Sequence, residues 1–155
     1  MSMDDVYAKP GHLIRRAQQI AVAIFMEETA AHDVTPVQYA ALVAIREHPG
    51  VDATRLSALV AFDRSTLGSV IERLEAKALI GRTGRPGDRR VKLLRLTPAG
   101  ARLLEAVEPA VARAQERILA PLAPEDRRRF MDLLGQLVAL NNGASRAPLR
   151  LVASR

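Results

Sequence analysis

Asp63-Arg64-Ser65-Thr66-Leu67-Gly68-Ser69-Val70-Ile71-Glu72-Arg73-Leu74-Glu75-Ala76-Lys77-Ala78 is the stretch that decides the fold. Leu67, Val70, Ile71 and Leu74 recur at steps of three and four, which places them on one stripe of a helix, and Asp63 is a side-chain cap for its first turn. The spacing predicts a helix over 64–78. With that stripe buried, Ser65, Thr66, Ser69 and Glu72 face outward, while Gly68 and Arg73 fall toward the edges. Just upstream, Asp52 caps a shorter helix over 53–60, and Ala61-Phe62-Asp63 leaves only a tight turn between the two. Two helices so joined, the second apolar on one face, read as a helix-turn-helix.

Downstream, 79–84 and 91–97 are short runs able to pair as strands, and Arg85-Pro86-Gly87-Asp88-Arg89-Arg90 between them is rich in turn formers. A basic hairpin directly after a helix-turn-helix is a wing. Thr97-Pro98 then opens a long helix to about 120, carrying Leu103, Leu104, Val107, Val111 and Ile118, with a kink expected at Pro109. Pro124 begins a last helix, striped by Phe130, Leu133, Leu134, Leu137, Val138 and Leu140 and closed by Asn141-Asn142-Gly143. Upstream of the helix-turn-helix, Thr35-Pro36 repeats the start signal for a helix to about 47, ended by His48-Pro49-Gly50. Before it, Leu13, Ile14, Ala17, Ile20, Ala21, Ile24 and Phe25 predict an amphipathic helix over 11–31. The tail 144–155 has three Arg, no acid and one Pro, the composition of a loose arm.

The charge is not spread evenly. Residues 52–97 hold ten basic and five acidic groups, which is +5 of the chain's +6. The remaining residues are nearly neutral, as parts that pack together are, and the concentrated patch reads as a footprint for a polyanion. Aromatics are only 3% of the chain, too few for the stacking platforms of single-strand binders, so double-stranded DNA is the leading partner. With no cysteine among 155 residues there is no disulfide, thiolate zinc site or thiol redox sensor, and His12, His32 and His48 share no ligand spacing. No metal and no cofactor is expected. No stretch is long and apolar enough for a membrane span and the N-terminus lacks a signal-peptide layout, so the reading is a soluble, cytoplasmic protein.

In this order and spacing, Thr35-Pro36-Val37-Gln38-Tyr39, Asp63-Arg64-Ser65-Thr66-Leu67, Arg73-Leu74-Glu75-Ala76-Lys77-Ala78-Leu79-Ile80, Gly87-Asp88-Arg89-Arg90 and Leu96-Thr97-Pro98-Ala99-Gly100 resemble the MarR family of winged helix-turn-helix regulators. The fold class expected is mainly α, a winged helix-turn-helix with a two-stranded β wing. The resemblance implies a homodimer whose N- and C-terminal helices (1–34 and 98–155) form the dimerisation region. It also implies a DNA-binding lobe over 35–97 that reads a pseudopalindromic operator. Long apolar stripes on the first and last helices independently call for a partner.

Candidate DNA contacts are Arg64, Ser65, Thr66, Gly68, Ser69 and Arg73 on the recognition helix, and Arg85, Arg89, Arg90 and Lys92 in the wing. Ser65 and Thr66 serve either the groove or the helix cap. Gly68 is either a point of close backbone approach or tolerated variation, and Arg73 either meets DNA or pairs with Glu72, Glu75 or Asp88. Asp88 and Arg90 look like the family's Asp-x-Arg wing pattern, which assigns the acid to the loop's own structure and the arginine to the minor groove. About five phosphate contacts per protomer predict a log-log salt slope of about −9 for the dimer.

The resemblance further implies an effector, commonly a small aromatic acid. His12, Arg15, Arg16 and Gln19, with Tyr39 and Phe62, are the candidate effector site, in which an arginine pairs a carboxylate beside an apolar wall; the alternative is that Arg15 and Arg16 make ion pairs between protomers. The function expected is thus a ligand-responsive repressor and not an enzyme, since no phosphate-cradling glycine loop or nucleophile elbow is present. A winged-helix protein-interaction module without DNA binding is the rival reading, and it leaves the +5 segment unexplained.

Overall fold

A computed structural model of the chain describes residues 2–151. In chain order the elements are α1 (Met3–Tyr7), α2 (Pro10–Glu28), α3 (Pro36–Glu47), β1 (Val51–Asp52), α4 (Ala53–Val60), α5 (Arg64–Ala76), β2 (Ile80–Arg85), β3 (Asp88–Leu96), α6 (Pro98–Leu119) and α7 (Pro124–Leu140). Short 3₁₀ turns follow α2 and α7.

Side-chain caps set most helix starts. Thr35 and Gln38 form a reciprocal capping box at α3, and Asp52, Asp63 and Thr97 each accept a backbone N–H in the first turn of α4, α5 and α6. Both short helices of the helix-turn-helix end on an alanine in the left-handed region, Ala61 (φ 53°) and Ala78 (φ 54°), which turns the chain sharply. α5 is therefore shorter than the expected 64–78 by its last two residues.

The sheet has three strands and not two. Val51 and Asp52 pair antiparallel with Leu94 and Leu93, so the order is β1-β3-β2. A two-residue strand has no periodicity of its own, and the long-range partner alone defines it. The hairpin is also longer than expected: Arg85 pairs with Asp88, leaving Pro86-Gly87 as the tip, with Gly87 at φ 82° as such a Pro-Gly turn requires. Because Gly84 pairs with Lys92, the segment Arg89 to Val91 bulges outward from the ladder.

Leu42, Ile45, Leu56, Leu67, Leu74 and Leu94 are fully buried and form the core of the winged lobe. Leu104, Val107 and Ala114 of α6 continue this core toward Phe25 of α2, and Glu28 at the end of α2 accepts from Arg113 Nε (3.1 Å) and Arg117 (3.2 Å). Those two guanidiniums lower the Glu28 carboxyl below its ordinary pKa. α6 runs unbroken through Pro109. α7 differs from every other long helix: none of its seventeen residues is buried.

Leu96-Thr97-Pro98-Ala99-Gly100 makes the joint between lobe and long helix. Thr97 Oγ1 donates to the Ala78 carbonyl (2.7 Å) and accepts from Gly100 N–H (3.1 Å), while Thr97 N–H donates to the Leu79 carbonyl (3.1 Å). A Cβ on Gly100 would stand 2.1 Å from that same Leu79 oxygen, so only glycine admits the approach.

The tail is seated and not loose as far as residue 151. Asn142 pairs with Leu149 through two bonds, Nδ2–H to the carbonyl (3.0 Å) and Oδ1 from the amide (2.8 Å). Arg150 N–H then donates to the Ala58 carbonyl on α4 (2.9 Å). The last four residues of the tail lie outside the described residues. No helix among the described residues is long and apolar enough to cross a membrane.

Candidate nucleic-acid interface

The recognition helix α5 presents one exposed polar face. Asp63, the cap, binds Thr66 twice, N–H to Oδ1 and Oγ1–H to Oδ2, both at 2.9 Å. These bonds hold the Asp63 carboxyl below its ordinary pKa, the Thr66 backbone N–H being the largest cause. Thr66 is thereby engaged by the helix cap, whereas Ser65 and Ser69 are exposed, the Ser69 hydroxyl donating to the Ser65 carbonyl (3.5 Å). Arg64 donates to Thr54 Oγ1 (3.3 Å), which sets its guanidinium between the starts of α4 and α5, where two helix N-termini favour an anion.

Gly68 is partly exposed, and a Cβ there meets no protein atom within 4 Å. Gly68→Ala is expected to stabilise the protein by about 1 kcal/mol through helix propensity. Where the Gly68 backbone approaches base edges, as proposed below, the added Cβ is expected to lower operator affinity about tenfold; at a merely tolerated position it leaves affinity unchanged. Urea unfolding and fluorescence anisotropy on one preparation check both.

Arg73 shares its surroundings with Thr66 and Ser69. All three line a cleft of about 350 Å³ between α5, α2 and α3, with Gln18, Val22, Met26 and Val37 on the opposing walls. Arg73 has no ion pair among the described residues. Of the acids considered for it, Glu75 is held by Arg82 and Asp88 by Arg90. The Arg82 bond lowers the Glu75 carboxyl below its usual pKa.

In the wing, Asp88 Oδ1 accepts from the Arg90 amide (3.1 Å) and so closes the turn on itself. Its carboxylate faces the loop, and the Arg90 side chain beyond it is 98% exposed. Arg89 and Lys92 are exposed and carry no ion pair among the described residues. Arg85 differs: its guanidinium donates to Asp52 Oδ2 (2.9 Å), tying the distal end of β2 to the cap of α4. That long-range pair has no local trace in the sequence. Arg55 on α4, which the sequence marks only through its basic count, is exposed on the wall of the groove between α4 and the wing.

The candidate effector residues divide into separate places. On α2, Arg15 donates to Gln19 Oε1 (3.3 Å), and its guanidinium lies 3.3 Å from His12 Nδ1. Tyr7 of α1 sits over His12 with ring centroids 5.3 Å apart, and Tyr7, His12, Arg15, Arg16 and Ile20, but not Gln19, line an open cavity of about 750 Å³. Tyr39 packs instead on Phe25, at a centroid distance of 6.1 Å. Phe25 is ten residues beyond Arg15 on the same helix, about 15 Å along its axis. Tyr39 is therefore not part of the Arg15 cluster within one chain, nor does Phe62, half-buried at the helix-turn-helix corner, line its cavity. Tyr7 is an addition that the helical pattern of α2 does not point to. Its signal is Ser2 and Asp5, which form a reciprocal capping box that starts α1.

A capped recognition helix beside a basic, acid-closed wing is the arrangement of a known group of proteins. A model of the MarR family matches residues 32–91. The transcriptional repressor NicR of Pseudomonas putida is 32% identical over 140 residues, covering 90% of this chain and 89% of NicR. This chain belongs to the MarR family. Among solved structures, BpsR of Bordetella bronchiseptica, whose DNA binding is regulated by 6-hydroxynicotinic acid, is 33% identical with a TM-score of 0.78, covering 84% of this chain and 94% of BpsR. PcaV of Streptomyces coelicolor, in complex with its natural ligand, is 34% identical with a TM-score of 0.77, covering 90% of this chain and 98% of PcaV. As a MarR-family protein the chain is a ligand-responsive, DNA-binding transcriptional regulator and not an enzyme.

Proposed function

We propose that this MarR-family regulator is a homodimeric repressor that binds a pseudopalindromic operator in the cytoplasm and is released by a small aromatic carboxylate. The observation that carries the DNA part is the run of exposed cations Arg55, Arg64, Arg89, Arg90 and Lys92 on α4, α5 and the wing, none in an ion pair stronger than the 3.8 Å approach of Arg90 to Asp88 among the described residues. Residues 35–97 are the reading lobe; 1–34 and 98–155 are the dimerisation region, whose exposed apolar residues on α2 and α7 a second copy covers. In the major groove Ser65, Ser69 and the Gly68 backbone approach base edges, Arg64 binds phosphate, and Arg90 enters the minor groove.

The effector reading rests on Arg15. His12 and Gln19 hold its guanidinium at the cavity wall, where it can take a carboxylate in two parallel bonds while Tyr7, Leu13 and Ile20 supply the apolar surface for a ring. The likeness to BpsR, which answers a hydroxylated nicotinic acid, supports this class of ligand.

Operator DNA titrated over 50–200 mM salt is expected to give a log-log slope of about −9 or steeper, about ten cations acting in the dimer. A panel of hydroxybenzoates, hydroxycinnamates and nicotinate derivatives is expected to release the wild-type protein and not Arg15→Ala. Absence of DNA retardation at low salt would sink the DNA reading and favour a protein-interaction module; release of Arg15→Ala at unchanged ligand concentration would sink the effector site alone.

A further inference from the structure

We infer that the C-terminal arm 145–151, the part of 98–155 that turns back onto the reading lobe, is a second, non-wing element of the DNA interface, in which Arg146 and Arg150 bind phosphates beside Arg64; this rests on the DNA-binding reading above. Three observations place the arm there. Arg150 N–H donates to the Ala58 carbonyl, one of the last four carbonyls of α4, which the helix itself leaves without a partner. The Asn142–Leu149 pair and the Ala147 amide on Ser145 Oγ (3.1 Å) fix the arm's course up to that point. Finally, Arg146, Pro148 and Arg150 line one cavity of about 370 Å³ with Thr54, Ser57 and Ala58 along α4 and with Asp63 and Arg64 at the start of α5.

The charge on this arm is one-sided. Arg146 lies close enough to Asp63 to help lower its carboxyl, but neither Arg146 nor Arg150 makes an ion pair among the described residues, and both side chains are exposed. Arg150 also borders the groove between α4 and the wing, alongside Arg55, Arg82, Arg90 and Lys92. The arm thus bridges the two cationic surfaces that flank the recognition helix. Two such arginines, on an arm anchored by the Arg150 amide at the C-terminal end of α4 and reaching the start of α5, have one matching partner in this protein's function, the phosphate backbone on either side of the major groove.

The test is Arg146→Ala/Arg150→Ala in the full-length dimer, which keeps the Arg150 amide and its bond to Ala58. Removing two phosphate-binding cations per protomer makes the salt slope about 3.6 units shallower, so that between 50 and 200 mM salt the wild type loses about 150-fold more affinity than the variant. Arg128→Ala/Arg129→Ala on α7 removes equal charge from the helix that lies outside the winged lobe and is expected to leave the slope unchanged. A slope unaltered in Arg146→Ala/Arg150→Ala while Arg90→Ala lowers it would overturn the arm and spare the wing. Equal shallowing by the α7 pair would overturn it as well, since net charge alone would then be at work. No binding by wild type at any salt would reject the DNA reading itself.

Discussion

Gly100→Ala is expected to be the most damaging single methyl group that can be added to this protein. The new Cβ would lie 2.1 Å from the Leu79 carbonyl oxygen and 3.1 Å from its carbon, both backbone atoms that cannot rotate away. Relief requires α6 to move off the end of the recognition helix, which stretches the Thr97 bonds to Ala78 and Leu79. Overpacking of this kind costs about 1–3 kcal/mol, and each weakened bond adds about 1 kcal/mol. The total of about 3–5 kcal/mol corresponds to a fall of about 10–15 °C in melting temperature for a chain of this size. Gly68→Ala, the same chemical change on an exposed helix, is expected to shift stability in the opposite direction. Calorimetry on the two variants side by side checks the pair, and a Gly100→Ala protein that melts with the wild type contradicts this packing of the joint.

Leu133→Glu/Leu137→Glu is expected to convert the regulator to monomers without unfolding them. Both side chains are about half exposed in a single chain, at 55% and 47%, so charge there costs the protomer little. They share a stripe with Phe130 and Leu140 on a helix that buries nothing of its own. In a dimer interface the same two glutamates meet apolar surface, where unpaired charge is strongly unfavourable. Loss of the dimer removes the coupling between the two half-sites, and with it roughly a factor of 10²–10⁴ in operator affinity. Sedimentation gives the mass, and circular dichroism gives the retained helix. A variant that remains dimeric at micromolar concentration places the seam elsewhere.

Most of the helical frame is legible in short-range chemistry. Thr35-Pro36, Thr97-Pro98, Asp52 and Asp63 set their helix starts because a cap and its first turn are neighbours in sequence. The role of Asp88 is legible for the same reason, its partner being two residues away. Where sequence and structure part, the deciding partner is distant along the chain. Val51-Asp52 is a strand only because Leu93 and Leu94, on the far side of the helix-turn-helix, lie beside it. Arg85 is a brace only because Asp52 faces it, and the tail is held at Arg150 because α4 offers a free carbonyl. Residue type groups Tyr39 with Arg15, although Tyr39 packs on Phe25, about three turns along α2 from that arginine.

The Thr97 joint sets a mechanical scale for the response to an effector. Its two bonds to Ala78 and Leu79 make the segment that ends the recognition helix and the start of α6 move as one piece. α6 is 22 residues long, or about 33 Å. Over an arm of that length a tilt of only about 5° at the far end carries the recognition helix about 3 Å. That nearly equals the step of about 3.4 Å between base pairs along a strand. An angular change too small to disturb the packing of the core is therefore large enough to put two reading heads one base pair out of phase with their half-sites.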